Sequence, residues 1–383
     1  MKKILFIDNT AHHLFGQLHL MTAFGNNGYI VEVIVPNDKK YYLELENSGI
    51  VCHEIQIDGK GLNPFKDYSL IQNFKSLFLQ LKPDLICSFT IKPNLYVSIA
   101  ARQFNIPVIA GVTGLGTAFL KQNLLNYLVV KLYKFAFKQI GCVFFQNQDD
   151  KLTFDELGIT QQSKYSITLP GDGVNLNKFS YVGLVDSPVT TFIFSGRLLL
   201  DKGLGELVAA MKIVKQKYPN TKLIVIGNYF FANPSSISSE QMQEWTNAGL
   251  IEYLGMVNNV FDIISGADCM ILPSYREGMP RSLLEAMSMG KPIITVNSIG
   301  CKDVVEDGVT GYMAKVKDVD SLADAMTKFI ELSFDEKLEM GLNGRRKMEQ
   351  EFDQQIVINK YLEVANQLLH VGNLNRYDQL PKN

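Results

Sequence analysis

CMILPSYREGMPRSLLEAMSMGKPIITV, residues 269–296, holds two short apolar runs on either side of one amphipathic run. CMILPS and KPIITV have the near-continuous apolar character of strands buried on both faces of a parallel sheet. RSLLEAMSM between them has helical spacing. Pro280 suits the first turn of that helix, where its missing N–H costs nothing, and Gly290 suits its end. YREGM is then the loop at the carboxyl end of the first strand. Strand, loop, helix and strand in so few residues make a βαβ unit, which needs parallel neighbours.

The same rhythm extends outward. TTFIFSGR (190–197), GELVAAMKIVKQKYP (205–219) and TKLIVIG (221–227) read as strand, helix and strand. In the first half, ILFI (4–7), LHLMTAFGNNG (18–28), YIVEVIVP (29–36) and VCHEIQI (51–57) alternate likewise. SLIQNFKSLFLQLKP (69–83), DLICSF (84–89), YVSIAARQFN and IPVIAGV continue the pattern. The segment 169–189, rich in Gly, Pro and Asp, interrupts it. The expected fold is α/β: two doubly wound, Rossmann-like domains facing an interdomain cleft, with ligands beyond the carboxyl ends of the strands. The expected division is 1–180, 181–352, a C-terminal helix 353–371 packing back on the first domain, and a polar tail 372–383.

Composition sets limits on function. The chain has 383 residues, is 46% hydrophobic and 20% charged, and carries a formal net charge of −2, with no nucleic-acid footprint. A small excess of base lies in the first half and of acid in the second. Five cysteines without a C-x-x-C pair read as buried free thiols of a reducing compartment, not as a zinc site. MKKILFIDNT reads as a first strand and not as a signal peptide. No uncharged apolar run is long enough to span a bilayer.

The chemistry lies at the strand ends of the second half. Glu277 stands in the loop before the helix, and Glu285 a little over one turn inside it. Amides at Gly278, Met279 and the first helical turn form an anion site. A carboxylate beside a phosphate site suits hydroxyl groups, so the pattern fits a ligand with hydroxyls flanking a phosphate, such as a nucleotide-sugar. By spacing alone, Glu277 could equally serve the helix dipole and Glu285 be a solvated helix residue. FIFSGRLLLDKGLGELVAAM (192–211) adds a second strand, glycine loop and helix. Arg197 and Lys202 in that loop suit a diphosphate, or are surface cations.

SGRLLLDKG, YLGMVNNV (253–260), PSYREGMPRSLLEAMSMGKPIIT and GCKDVVEDGVTGY (300–312) together resemble the donor half of glycosyltransferase family 4, and GDGVNLNKF (171–179) resembles its linker element. These are retaining GT-B enzymes with an E-x7-E signature. The resemblance implies that Arg197 and Lys202 bind the donor diphosphate, Glu277 the sugar and Glu285 the ribose. It places Gly196, Gly278, Met279, Pro280 and Leu284 along the sugar and phosphate, and Met256 and Val257 at the base. Glu277, Arg197 and Lys202 are then the catalytic set. No cofactor or catalytic metal is implied, and the donor is a UDP-sugar. The D-x-D at 318–320 fits a helix cap better, with Asp320 as the capping residue.

SFTIKPNLYVSIAAR (88–102), IAGVTGLGTAFL (109–120) and LNPF (62–65) resemble bacterial family members that extend polyprenyl-diphosphate-linked sugars, among them the diacetylbacillosaminyl-diphospho-undecaprenol α-1,3-N-acetylgalactosaminyltransferase type. Gly16, Lys92, Thr113 and Gly114 are the expected acceptor residues. The loop NTAHHLFGQ (9–17) is expected to cover the cleft, His12 and His13 reading as simple loop residues. TAFLKQNLLNYLVVKLYKFAFKQIG (117–141) has four lysines and no acid. Lys131, Lys134 and Lys138, with Phe135, suit a helix lying in an anionic membrane interface, or a core helix with a solvated edge. The expected partners are a nucleotide-sugar donor, a lipid-linked diphosphate-sugar acceptor and a membrane surface, without nucleic acid. The expected place is cytoplasmic, peripheral on the inner face of the bacterial plasma membrane. The expected product is a surface polysaccharide or glycoprotein glycan extended by an N-acetylhexosamine or hexose. A GT-B sugar-nucleotide epimerase and an inert subunit of a glycan-assembly complex are the other readings.

Overall fold

The computed structural model describes residues 1–58, 63–115, 119, 124–231, 233–257 and 259–370. Leu62, the segments 116–118 and 120–123, Asn258 and the expected tail lie outside the described residues. The chain divides into two compact units: Met1–Leu169 with the described residues from Val357 onward, and Pro170–Ile356.

In the first unit the strands are β1 (Lys3–Ile7), β2 (Ile30–Val35), β3 (Val51–Glu54), β4 (Leu85–Phe89), β5 (Val108–Val112), β6 (Cys142–Phe145) and β7 (Tyr165–Thr168). Its helices are α1 (Ala11–Phe15), α2 (Leu18–Asn26), α3 (Lys40–Asn47), α4 (Pro64–Leu81), α5 (Ile91–Arg102), α6 (Leu124–Ala136) and α7 (Gln148–Glu156). All strand pairs are parallel, in the order β3-β2-β1-β4-β5-β6-β7. One face buries Phe74, Phe78, Tyr133 and Phe154. The other buries Phe6, Phe24, Phe89 and Phe144.

The second unit contains β8 (Thr190–Ser195), β9 (Thr221–Ile226), β10 (Glu252–Gly255), β11 (Cys269–Leu272), β12 (Ile293–Val296) and β13 (Gly311–Ala314). Around them run α8 (Leu204–Lys217), α9 (Ser239–Asn247), α10 (Val260–Ser265), α11 (Arg281–Ser288), α12 (Val319–Glu331) and α13 (Phe334–Glu351). The order is β10-β9-β8-β11-β12-β13, again all parallel. Each sheet thus changes winding direction between its first strand and the fourth: at β1/β4 and at β8/β11. The loops leaving those strands diverge and open a crevice at the carboxyl edge.

Several sequence expectations shift by local chemistry. α4 starts five residues before Ser69, because the Asn63 side chain accepts from the amides of Phe65 and Lys66 and Pro64 fits the first turn. α5 likewise begins at Ile91 rather than Tyr96. The loop 9–17 holds a short helix, α1, capped by Thr10. Pro280 is the N-cap of α11 and not its first helical residue. The cap of α12 is Asp318, which accepts from the Ser321 amide, so the assignment of Asp320 is corrected by two residues. The segment after Leu169 belongs to the second unit: the Val174 amide donates to the Phe352 carbonyl at 2.8 Å, and Val174 accepts from Gln354 at 3.0 Å. The boundary expected at 180 therefore moves to Leu169/Pro170. The last helix, α14 (Gln354–His370), sets Tyr361 against Phe144 in the first unit, ring centroids 4.4 Å apart.

Cys87, Cys142, Cys269 and Cys301 are buried, and Cys52 is half-buried; all five are free thiols. Burial pushes every one of these thiols up, Cys52 and Cys301 to about 11. The unfolded chain releases these protons first, so stability is fully present below the ordinary thiol pKa and is lost as pH rises through the folded values. Buried Lys291, lowered to about 8 by desolvation, works in the opposite sense, but it is one group against five. The denaturant midpoint is expected to fall between about pH 9 and pH 11. Cys301→Ala is expected to flatten that fall; an unchanged slope would remove Cys301 from it.

Candidate functional site

The loops that leave β8 and β11 carry Arg197, Lys202 and Glu277. After β8, the chain runs through Gly196 and Arg197 into a single 3-10 turn, Leu200–Lys202. Gly203 then adopts a left-handed conformation, φ 72°, and starts α8. A Cβ on Gly203 would lie 2.2 Å from the carbonyl oxygen of Pro273, so only glycine lets the two loops touch. Three further bonds tie them. The Tyr275 amide donates to the Asp201 carbonyl at 2.9 Å, and Ser274 Oγ donates to the same oxygen at 3.3 Å. The Tyr275 hydroxyl donates to Glu206 Oε1 at 2.5 Å.

This clamp sets Lys202 against Glu277, and their side chains form an ion pair with each partner 14% exposed. The Glu277 backbone is held by its amide donating to the Ile299 carbonyl at 3.0 Å. Gly300, φ 79°, packs so closely that a Cβ there would lie 2.5 Å from the Glu277 carbonyl oxygen. A carboxylate and an ammonium, separated by 75 residues in the chain, therefore meet at one point on the sheet edge. Arg197 is exposed, with its guanidinium 5.5 Å from the Phe230 ring centroid, and forms no ion pair among the described residues. The Gly196 amide donates to the Ile226 carbonyl at 3.1 Å, which joins the β8 and β9 loops.

α11 starts beside this pair. No side chain caps it. Its first amides carry the helix's partial positive charge, beside Gly278 in the loop. Glu285 lies further along α11, half-buried. Desolvation pushes its carboxyl up and outweighs the opposing charges of Arg281 and Lys178. Met256, 55% exposed, stands at the end of β10, where Asn228 Nδ2 donates to its sulfur at 3.5 Å; Val257 packs against the second unit's core.

Two of the expected donor residues turn their side chains into packing contacts. Leu284 is 1% exposed and faces the apolar core, since helical spacing turns it away from the strand-end loops. Met279 packs on the turn at Gly171, where a Cβ would lie 2.6 Å from its side chain. Its backbone, not its thioether, remains available to a ligand.

In the first unit, Lys92 is only 9% exposed and its ammonium lies 3.4 Å from Asp67 Oδ1. Lys92 is thus paired with Asp67, as Lys202 is with Glu277. It lines a cavity of about 530 Å³ with Asp58, Lys66 and Asn73. Gly16 ends α1 with an ordinary φ of −60°, so no backbone strain requires glycine there. Thr113 and Gly114 follow β5, Gly114 with φ 140°. Residues 116–118 of that loop lie outside the described residues.

His13, read from the sequence as a simple loop residue, pairs with an acid. Its Nδ1 lies 2.5 Å from Oδ2 of fully buried Asp8, at the end of β1. Asp8 also accepts from the Thr10 amide at 3.1 Å. Beside it, at the end of β4, Thr90 has φ 65° and ψ 167°, a strained backbone for a β-branched residue. The signal available in sequence was Asp8 directly after a strand, five residues before a histidine.

Lys131, Lys134 and Phe135 lie on the exposed side of α6, and Lys138 in the 3-10 turn Phe137–Gln139 that follows it. Among the described residues no helix is long and apolar enough to cross a membrane, and no group of three or more His, Cys, Asp or Glu could hold a metal ion.

Two parallel sheets of matching winding, each flanked by helices, define the GT-B architecture. Sucrose-phosphate synthase from Thermosynechococcus elongatus shares it, with a TM-score of 0.77 and 16% identity, over 97% of this chain and 100% of that one. So does Anabaena HepE in complex with UDP, with a TM-score of 0.78 and 18% identity, over 96% of this chain and 100% of that one. Residues 182–347 match the family described as Glycosyl transferases group 1, and residues 3–147 match Glycosyl transferase 4-like. The chain belongs to these GT4-like glycosyltransferases. The N,N'-diacetylbacillosaminyl-diphospho-undecaprenol alpha-1,3-N-acetylgalactosaminyltransferase of Campylobacter jejuni is 28% identical over 362 residues, 88% of this chain and 91% of that protein. The UDP-Gal:alpha-D-GlcNAc-diphosphoundecaprenol alpha-1,3-galactosyltransferase of Escherichia coli is 25% identical over 283 residues, 69% of this chain and 72% of that protein.

Proposed function

We propose that this glycosyltransferase moves an N-acetylhexosamine or hexose from a UDP-sugar to a polyprenyl-diphosphate-linked glycan, with retention of anomeric configuration. The observation that carries the reading is the Lys202–Glu277 pair at the β8/β11 crevice, beside the uncapped start of α11. A diphosphate takes the ammonium of Lys202, the guanidinium of Arg197 and the helix amides. Glu277, released from Lys202, accepts from sugar hydroxyls, and Glu285 from the ribose. The names of the Campylobacter and Escherichia relatives supply the acceptor class. In the reaction, the bond from the anomeric carbon to the diphosphate oxygen breaks while the acceptor oxygen bonds to the same face. The acceptor's proton passes to the departing phosphate. Arg197, Lys202 and the α11 amides carry the leaving-group charge, so no metal is needed.

The test is direct. The protein is incubated with a polyprenyl-diphosphate-linked sugar and a panel of UDP-sugars, with and without EDTA, and the lipid product is followed by mass and its anomeric configuration by NMR. One donor is expected to add its sugar, in EDTA as without it, with the donor's configuration kept. UDP-sugar isomerisation without a lipid product would overturn the reading in favour of an epimerase.

Glu285→Gln separates binding from folding. Removing a carboxylate whose burial is unfavourable is expected to raise stability by up to about 1 kcal/mol. The same change is expected to weaken UDP-sugar affinity about tenfold, by loss of a charged hydrogen-bond acceptor. Thermal melts and titration calorimetry read the two effects separately; unchanged affinity would remove Glu285 from the donor site.

The exposed side of α6 is proposed to rest on the cytoplasmic face of an anionic bilayer. Tyr127, Leu128 and Phe135 stand exposed there among Lys131 and Lys134. Changing Lys131, Lys134 and Lys138 to Glu is expected to abolish flotation with anionic vesicles; intact flotation would end this reading.

A further inference from the structure

On the opposite edge of the first sheet, away from the crevice, lies a cavity of about 410 Å³. Three successive connections build it, each leading into one of the neighbouring parallel strands β5, β6 and β7. Each supplies one cation: Arg102 before β5, Lys138 before β6 and Lys164 before β7. Among the described residues the wall contains Asn105, Gln139 and Gln162 but no acidic residue, and its apolar floor includes Val108, Ile140 and Leu368.

None of the three cations forms an ion pair among the described residues. Arg102 donates through one terminal nitrogen to the Ala136 carbonyl at 3.0 Å and to the Phe135 carbonyl, while its buried Nε has no hydrogen-bond partner. Both Arg102 and Lys138 lie over the Phe135 ring, at 4.9 and 5.8 Å from its centroid, so one exposed aromatic holds two like charges on a shared wall. Gathering three cations without a carboxylate costs free energy unless an anion joins them. The space exceeds what one phosphate fills and suits a phosphate carrying an organic group.

We infer that the Arg102, Lys138 and Lys164 cavity binds the phosphate of a phosphate ester, separately from the donor crevice. Two sources share that chemistry: the headgroup of an anionic phospholipid and a small soluble phosphate ester. The inference does not rest on the proposed reaction, because no residue of the donor crevice takes part.

The experiment uses the full chain and two probes. One is flotation with phosphatidylcholine vesicles containing phosphatidylglycerol; the other is calorimetric titration with glycerol phosphate. The key variant is Lys138→Gln with Lys164→Gln, both exposed at the surface. Lys212→Gln with Lys222→Gln, exposed in the second unit, removes the same charge as a control. Lys164 lies off α6, so Lys164→Gln alone distinguishes the cavity from the helix face. Wild type is expected to bind at least one probe, the double variant about tenfold more weakly, and the control as wild type. Loss with vesicles alone assigns a membrane phospholipid; loss with glycerol phosphate assigns a soluble ester. Failure of wild type to bind either probe overturns the inference. So does a double variant equal to the control, or a Lys164→Gln variant equal to wild type.

Discussion

Glu277→Gln is expected to lower sugar transfer about 100- to 1000-fold while leaving the fold in place. Glutamine keeps the shape and one acceptor oxygen but not the charge that orders sugar hydroxyls as positive charge develops at the anomeric carbon. The backbone of residue 277 is fixed independently of its side chain, by the Ile299 carbonyl and the contact with Gly300. The loop should therefore stay where it is. The loss of the Lys202 pair is the structural consequence, and because both side chains keep some solvent contact its cost is modest. Single-turnover transfer and a thermal melt, measured on the same preparation, separate the two effects. Wild-type turnover would take Glu277 out of the mechanism; a collapsed melt would assign it to folding.

Gly203→Ala is expected to cost about 3 kcal/mol or more and to weaken donor use in the fraction that folds. Two penalties add at this position. The left-handed φ of 72° disfavours any side chain. The new methyl group would also sit 2.2 Å from the Pro273 carbonyl oxygen, a backbone atom that cannot turn away. Relief requires separating the β8 and β11 loops, which breaks the Tyr275–Asp201 bond and moves Lys202 from Glu277. Denaturant unfolding together with UDP-sugar KM checks both parts. A melt superposing on wild type would mean that the two loops are not clamped at Gly203.

Much of this is legible in the sequence. Short apolar runs such as CMIL and PIITV, with helices between them, could only be parallel strands. Glycines and prolines near 203, 280 and 290 marked the loops where strands hand over to helices. Element starts were less legible, because caps compete locally: Asn63 draws α4 forward, and Asp318 rather than Asp320 captures the amides of α12. Burial was not legible for charged or site-adjacent residues that turn inward. Lys92 found Asp67, and Leu284 fell on the core side of α11. The pairing of His13 with Asp8 was marked in sequence only by an acid after a strand, five residues before a histidine, and it forms because α1 folds the chain back.

By itself, the sequence determined the α/β class, the two doubly wound units and the residue types at the strand ends, since these follow from hydrophobic period and backbone stereochemistry within short windows. The tertiary structure decided how the charges meet. Lys202 and Glu277 come together only because the strand order places β8 beside β11, and Arg102, Lys138 and Lys164 only because β5, β6 and β7 are neighbours. Strand adjacency is a long-range property: it is set by how whole helices and strands pack, and local sequence does not encode it.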